Sequence, residues 1–216
     1  MTASLARPAR RPLPVNASAL AALCLLVAGA GGCGHRPASY TVPLKYRPTS
    51  QLKMGAFAGE IPDTKVFVGP VTDNRPDKEH VGENVEEKTP VAIVTADDPT
   101  QFVHDQLGQL LSKAGLQVAA DASQGERVLQ TELHTFWTKE TNTYESEIRA
   151  TFVVQDRNGR QLWKGTINGT AERFGRSLKA ENYQEVFSDG LVDLVQNLLS
   201  NPGFRAALGK DAKVTG

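Results

Sequence analysis

The chain has 216 residues, a formal net charge of zero from 24 basic and 24 acidic side chains, and 40% apolar residues. That is apolar enough for a packed core and excludes a disordered chain, and the balanced charge excludes a strongly basic nucleic-acid binder. The length suits one domain with attachments, and the only cysteines, Cys24 and Cys33, lie too close to the N-terminus to staple a disulfide framework.

Arg7, Arg10 and Arg11 form a positive cluster, and no acid occurs before Glu60. The apolar core at residues 19–28 is ten residues long, a length that fits a secretory segment and falls short of the roughly 20 residues a spanning helix needs. Ala30, Gly31 and Gly32 then lead into Cys33, which resembles a bacterial lipobox with Ala30 where Leu, Val or Ile is more usual. Residues 1–32 are therefore read as a lipoprotein signal peptide and Cys33 as the lipidation site. The alternatives are plain secretion with cleavage near Ala28 and an uncleaved anchor. A thioether-linked diacylglycerol plus an acylated amine would give essentially permanent anchoring, because each buried methylene adds about 0.8 kcal/mol. Gly34, in place of an Asp, favours the outer membrane, with the domain facing the periplasm. Cleavage before Cys33 removes three arginines and no acids, leaving the mature chain at −3. A slightly acidic domain has no electrostatic reason to lie on anionic lipid, so it is expected to stand off on its tether.

Residues 33–62 carry Pro37, Pro43, Pro48, Gly55, Gly59 and Pro62 and read as that tether, with one short extended piece at residues 41–46. The folded domain is expected over residues 63–209, with a frayed tail at 210–216. Val66 and Val68 mark a first strand at residues 65–71, followed by a polar loop rich in turn formers and charges, and residues 91–94 form a short extended return. Asp98 as N-cap, Pro99 at the first helical position and Val103, Leu107, Leu110 and Leu111 at helical spacing define helix one, which Gly115 ends. A short strand follows at residues 116–119.

Three longer strands come next. In residues 129–137, Leu129, Leu133 and Trp137 share the inward face, leaving Val128, Gln130, Glu132, His134 and Phe136 on the other. In residues 144–154, Tyr144, Ile148, Ala150, Phe152 and Val154 alternate with charged side chains. Residues 162–171 alternate likewise after an Asn158-Gly159 turn. Helix two is read from Asn182, with Glu185 three residues on, and Phe187, Leu191, Leu194 and Leu198 as its stripe. A short terminal helix at residues 204–208 packs beside it. These elements predict an α+β fold: a largely antiparallel four- to five-stranded sheet with two helices packed on one face.

The lipobox-like cysteine, the strand-then-DNRP turn at residues 71–76, Gly82, the AGLQV stretch at residues 114–118 and the closing ENYQEVFSDGLVDLVQNLL helix together resemble the YajG-type bacterial lipoprotein family over residues 65–199. The resemblance implies location and fold. It carries no enzymatic activity with it.

His35, His80, His104 and His134 have no metal-ligand spacing to one another or to a cysteine, and no phosphate loop or nucleophile elbow is present. The expectation is thus no enzyme, no metal, no cofactor and no nucleic-acid partner. Asp73 and Arg75, just past a strand end, are the candidate binding residues; the competing reading is an Asx-turn and an ion pair. Trp137 and Trp163 are expected in the core. The function read from these features is a membrane-anchored, non-catalytic binding or scaffolding module for an envelope protein complex. The second reading is a binder of a small lipid or glycan, as an auxiliary part of a lipid-transport system.

Overall fold

A computed structural model of the chain describes residues 38–53, 62–209 and 212. Eight strands and three helices follow in chain order: β1 (Ser39–Thr41), β2 (Lys65–Asp73), β3 (His80–Asn84), β4 (Val91–Val94), α1 (Pro99–Lys113), β5 (Gln117–Val118), β6 (Arg127–Glu140), β7 (Thr143–Asp156), β8 (Gln161–Phe174), α2 (Ala180–Ser200) and α3 (Pro202–Leu208). The two long helices and the inner face of the sheet share one apolar core, with Val66, Leu107, Leu129, Ile148, Phe152 and Leu194 at its centre.

The expected α+β class stands, but the sheet is eight-stranded and mixed, not a largely antiparallel sheet of four or five strands. Pairings β1–β4, β2–β5, β2–β6 and β3–β6 are parallel, while β3–β4, β6–β7 and β7–β8 are antiparallel. The 14-residue strands β6, β7 and β8 form a meander whose alternation is plain in the sequence. The parallel half is assembled from segments of two to nine residues, too short to print a period of their own. The free edge of β6 is shared: β2 pairs with residues 127–133 and β3 with residues 138–140. Consecutive strands β2 and β3 thus run along one edge of β6, interrupted only by residues 74–79. Strand β3 falls inside the stretch expected to be loop. Its Gly82 lies so close to Thr138 that a Cβ there would sit 2.3 Å from the Thr138 carbonyl oxygen, which is why this position takes glycine.

α1 begins as its sequence dictates: Asp98 accepts from the amides of Thr100 and Gln101, and Gly115 takes φ +96° behind the helix. α2 begins earlier than expected, at Ala180, and its N-cap Lys179 makes no side-chain cap bond. The Lys179 amide donates to the Tyr144 hydroxyl, and Glu185 pairs with Arg173 instead of closing a capping box. α2 lies directly on β8, where a Cβ on Gly169 would come within 2.2 Å of the Gly190 carbonyl oxygen. α2 also guards the outer edge of β8: Asp193 accepts from the Thr170 amide, and Asn197 donates to the Asn168 carbonyl. These bonds occupy backbone groups that a long edge strand would otherwise offer to another chain.

The segment expected to be a free tether is docked over residues 38–53. β1 pairs with β4, and Val42 is fully buried. Beyond it the chain runs along α2. Ser188 accepts from the Arg47 amide, Asp189 from the Thr49 and Ser50 amides, and Gln196 from the Lys53 amide. Prolines in this strap fix φ and have no amide to satisfy, so their presence fits an extended docked chain as well as a loose one. The frayed-tail expectation at residues 210–216 falls almost wholly outside the described residues.

Candidate interaction surfaces

Cys33 and the signal segment lie outside the described residues. The other sequence candidates, Asp73 and Arg75, are brought together. The Arg75 side chain is 3% exposed and its guanidinium grips the Asp73 carboxylate through Nε at 3.0 Å and Nη2 at 2.9 Å. The Arg75 amide also donates to Asp73, while Nη1 and Nη2 reach the carbonyls of His80 and Lys78. Burial alone would raise the Asp73 pKa. The hydrogen bonds and charge of Arg75 outweigh it and hold the carboxyl below its ordinary range. The pair therefore ties the end of β2 to the start of β3. The exposed residues of the excursion are Asn74, Pro76, Lys78 and Glu79.

Concavities open on the surface of the described residues, among them two of similar volume. One, about 630 Å³, lies between β2, α1 and β5 and is lined by apolar Phe67, Val71 and Val118 with polar Gln101, His104 and Asp105. Gly108 of α1 borders it, with open space where a Cβ would stand. His104 bridges the Val68 carbonyl oxygen at 3.3 Å and Asp105 at 3.1 Å, so it has a structural task at the unpaired edge of β2. The second, about 600 Å³, lies on the outer face of the meander around Trp137, with Lys139, Glu145, Glu147, Thr170 and Glu172.

Trp137 reaches that face because of a register shift in β6 between Leu133 and Thr135. Before the shift, Leu129, Thr131 and Leu133 point inward; after it, Phe136, Thr138 and Glu140 do. The expected core position of Trp137 is thus corrected: the bulge exchanges it with Phe136, which stacks on Phe187 at 4.3 Å. The signal available was the adjacent pair Phe136-Trp137, since neighbours on a strand cannot share a face. Trp163 is half-buried and packs against the core, meeting Phe204 edge-on at 5.5 Å. Elsewhere on the outer face His134 donates to or accepts from Thr151, which in turn meets Thr166, both at 2.8 Å.

A buried polar cluster was not foreseen. Glu140 is fully buried, accepts from the Leu178 amide at 3.1 Å and from the Tyr183 hydroxyl, and lies beside Tyr144. Burial pushes the Tyr144 hydroxyl up to about 12, against the relief given by the Lys179 amide and with a further push from Glu140. Burial and the same carboxylate push Tyr183 higher still. Both tyrosines are therefore fixed donors or acceptors, not titrating groups, at physiological pH. Ser177 and Leu178, which the cluster holds down, take φ of 80° and 51°, a conformation that costs of order 1–3 kcal/mol per residue and persists only when tied in place. Among the described residues no three His, Cys, Asp or Glu side chains converge as a metal site.

The fold is that of a small α+β domain. Residues 68–209 match the family described as uncharacterized lipoprotein, and the chain belongs to that family. A Xanthomonas campestris protein of the DUF330 family is similar in fold, with a TM-score of 0.50 at 12% identity, over 77% of this chain and 95% of that one. An uncharacterized lipoprotein B from Nitrosomonas europaea aligns with a TM-score of 0.40 at 14% identity, over 73% and 89%. A minor lipoprotein from Acinetobacter baumannii aligns with 0.34 at 16%, over 65% and 92%. No curated protein matches the chain in sequence. No helix among the described residues is long and apolar enough to cross a membrane.

Proposed function

We propose that the protein is an outer-membrane lipoprotein of the YajG type, acylated at Cys33, whose domain is a non-catalytic binding module for an envelope protein partner. The observation that carries this is Trp137. A bulge places the largest side chain of β6 on the wet face of the sheet, ringed by Glu145, Glu147, Glu172 and Lys139. A half-buried tryptophan in a shallow polar surround is the residue type that dominates protein–protein binding energy. Asp73 and Arg75 belong to the same reading as positioning residues: they shape the neighbouring 74–79 excursion. Crosslinking in intact envelopes tests the reading. Trp137→Ala should lose the crosslinked species by at least about tenfold, the effect of a hot-spot residue, with unchanged melting. Retention of the full crosslink would sink it, as would turnover of a peptidoglycan or lipid substrate by the purified protein.

A second reading has its own observation: the groove beside α1 has a volume within the usual ligand-site range and an apolar floor. Gly108→Phe should fill that groove. If it displaces a co-purifying lipid or glycan while Trp137→Ala changes nothing, the small-ligand reading replaces the first.

A further inference from the structure

The register of the sheet fixes where the chain enters it. Ser39 lies opposite Ala92, Glu83 opposite Ala92 and Lys139, Glu145 opposite Lys139, and Glu172 opposite Glu145. One row therefore crosses from β1 to β8, and two residues further Phe174 faces Thr143. The end of the sheet through which the chain arrives thus also carries the β3–β4 loop at residues 85–90, the turn at residues 141–142 and Phe174. Phe174 is 81% exposed, the most exposed large apolar side chain described. The loop after it is bound across this end, since Arg176 pairs with Glu86 and donates to Asn142.

The docked strap changes the distance to any anchor. Only residues 34–37 separate Cys33 from Ala38, the residue before β1, so five peptide steps span at most about 18 Å. This end of the sheet is about 24 Å wide, from five strand spacings. So short a leash keeps the chain's point of entry within about 18 Å of an anchor at Cys33, less than the width of this end of the sheet. We propose that the end of the sheet bearing Phe174 and the 85–90 loop rests on the lipid bilayer surface, with Phe174 in the interfacial layer. The proposal rests on acylation at Cys33, and it replaces the stand-off expected from a long tether. Charge does not drive it: the basic Lys88, Lys139, Arg176 and Lys179 at this end are outnumbered by Glu83, Glu86, Glu87, Glu145, Glu172 and Glu181, so anionic lipid is not needed for the pose. An aromatic ring at the headgroup level with basic neighbours suits the interface.

The test uses the lipidated full chain in phosphatidylcholine vesicles. With Cys33 in thioether linkage, Phe174→Cys and Asn158→Cys each provide one free thiol for an environment-sensitive fluorophore. Asn158 follows β7 at the far end of the meander, about 45 Å from residue 143 along a strand of 14 residues. Brominated lipid should remove about half of the emission from position 174, an interfacial depth, and leave position 158 unchanged. Equal, weak quenching at both positions in protein that floats with the vesicles overturns the proposal and leaves the anchor standing. Failure to float, with no diacylglyceryl mass on Cys33, removes the anchor and the proposal together. A label at 174 that is shielded but not quenched has protein as its cover, which also overturns it.

Discussion

Arg75 shows how a residue that reads as a recognition group on paper acquires a structural task. Its guanidinium is turned inward onto Asp73 and two carbonyls, where each charged hydrogen bond is worth more than a neutral one. Arg75→Ala leaves the Asp73 carboxylate and the Lys78 and His80 carbonyls without their donor, and should cost about 2 kcal/mol or more in a denaturant titration. The pH dependence follows from the lowered Asp73 pKa. A carboxyl with a depressed folded-state pKa contributes stability above its unfolded value, near 3.8, and loses it as pH falls through the folded value. Asp73→Asn should therefore flatten the acid limb of the stability curve below about pH 4 and lower the plateau above it. An acid limb identical to that of the parent protein would show that another carboxylate sets it.

At the scale of elements, α1 and α2 are held by their stripes. Leu107 and Leu194 are 1% and 0% exposed. Replacing either by Ala should cost about 2–5 kcal/mol, the transfer of the lost atoms plus the cavity they leave. A loss under about 0.5 kcal/mol, the size of a surface change, would mean that the helix is not packed as described. Gly108 is the opposite case. It sits inside α1 with nothing near its missing Cβ, so Gly108→Ala should stabilise the domain by about 0.5–1 kcal/mol. Destabilisation there, seen as a lower melting temperature, would show that the helix is closed against a neighbour at that point. The strap along α2 gives this face of the domain a second layer. Asp189 accepts two consecutive amides from it, so Asp189→Ala should speed tryptic cleavage after Lys53 without unfolding the meander.

For the whole molecule, the leading expectation is processing at Cys33. Cys33→Ala should leave an unprocessed precursor, abolish fatty-acid labelling and release the protein from the membrane fraction. A mutant that still matures to the parent size and still takes up label would place the modification elsewhere. The family match over residues 68–209 covers the meander, both long helices and most of the parallel half of the sheet. It begins after the strap and β1, so it does not speak to how the domain is tethered.

The sequence by itself determined the elements whose stabilising interactions are local. The Asp98 cap, Gly115 and the Asn158-Gly159 turn, where Gly159 takes φ +77°, each satisfy backbone demands within a few residues. The alternation of β7 and β8 is long enough to count. The helix stripes and the resemblance to a lipoprotein family rest on the same kind of repeated or contiguous signal. Tertiary structure alone decided the rest, because each remaining feature depends on partners far along the chain. Strand β3 exists because β6 has a free edge beyond β2. Trp137 faces out because one extra residue near His134 reverses the alternation, and a one-residue slip moves every following side chain to the other face. Glu140 is tolerated in the interior because Tyr183 and the Leu178 amide reach it from about forty residues away. The proline-marked strap docks because α2 presents Ser188, Asp189 and Gln196 along one side, and no local pattern distinguishes an extended chain that has such partners from one that does not.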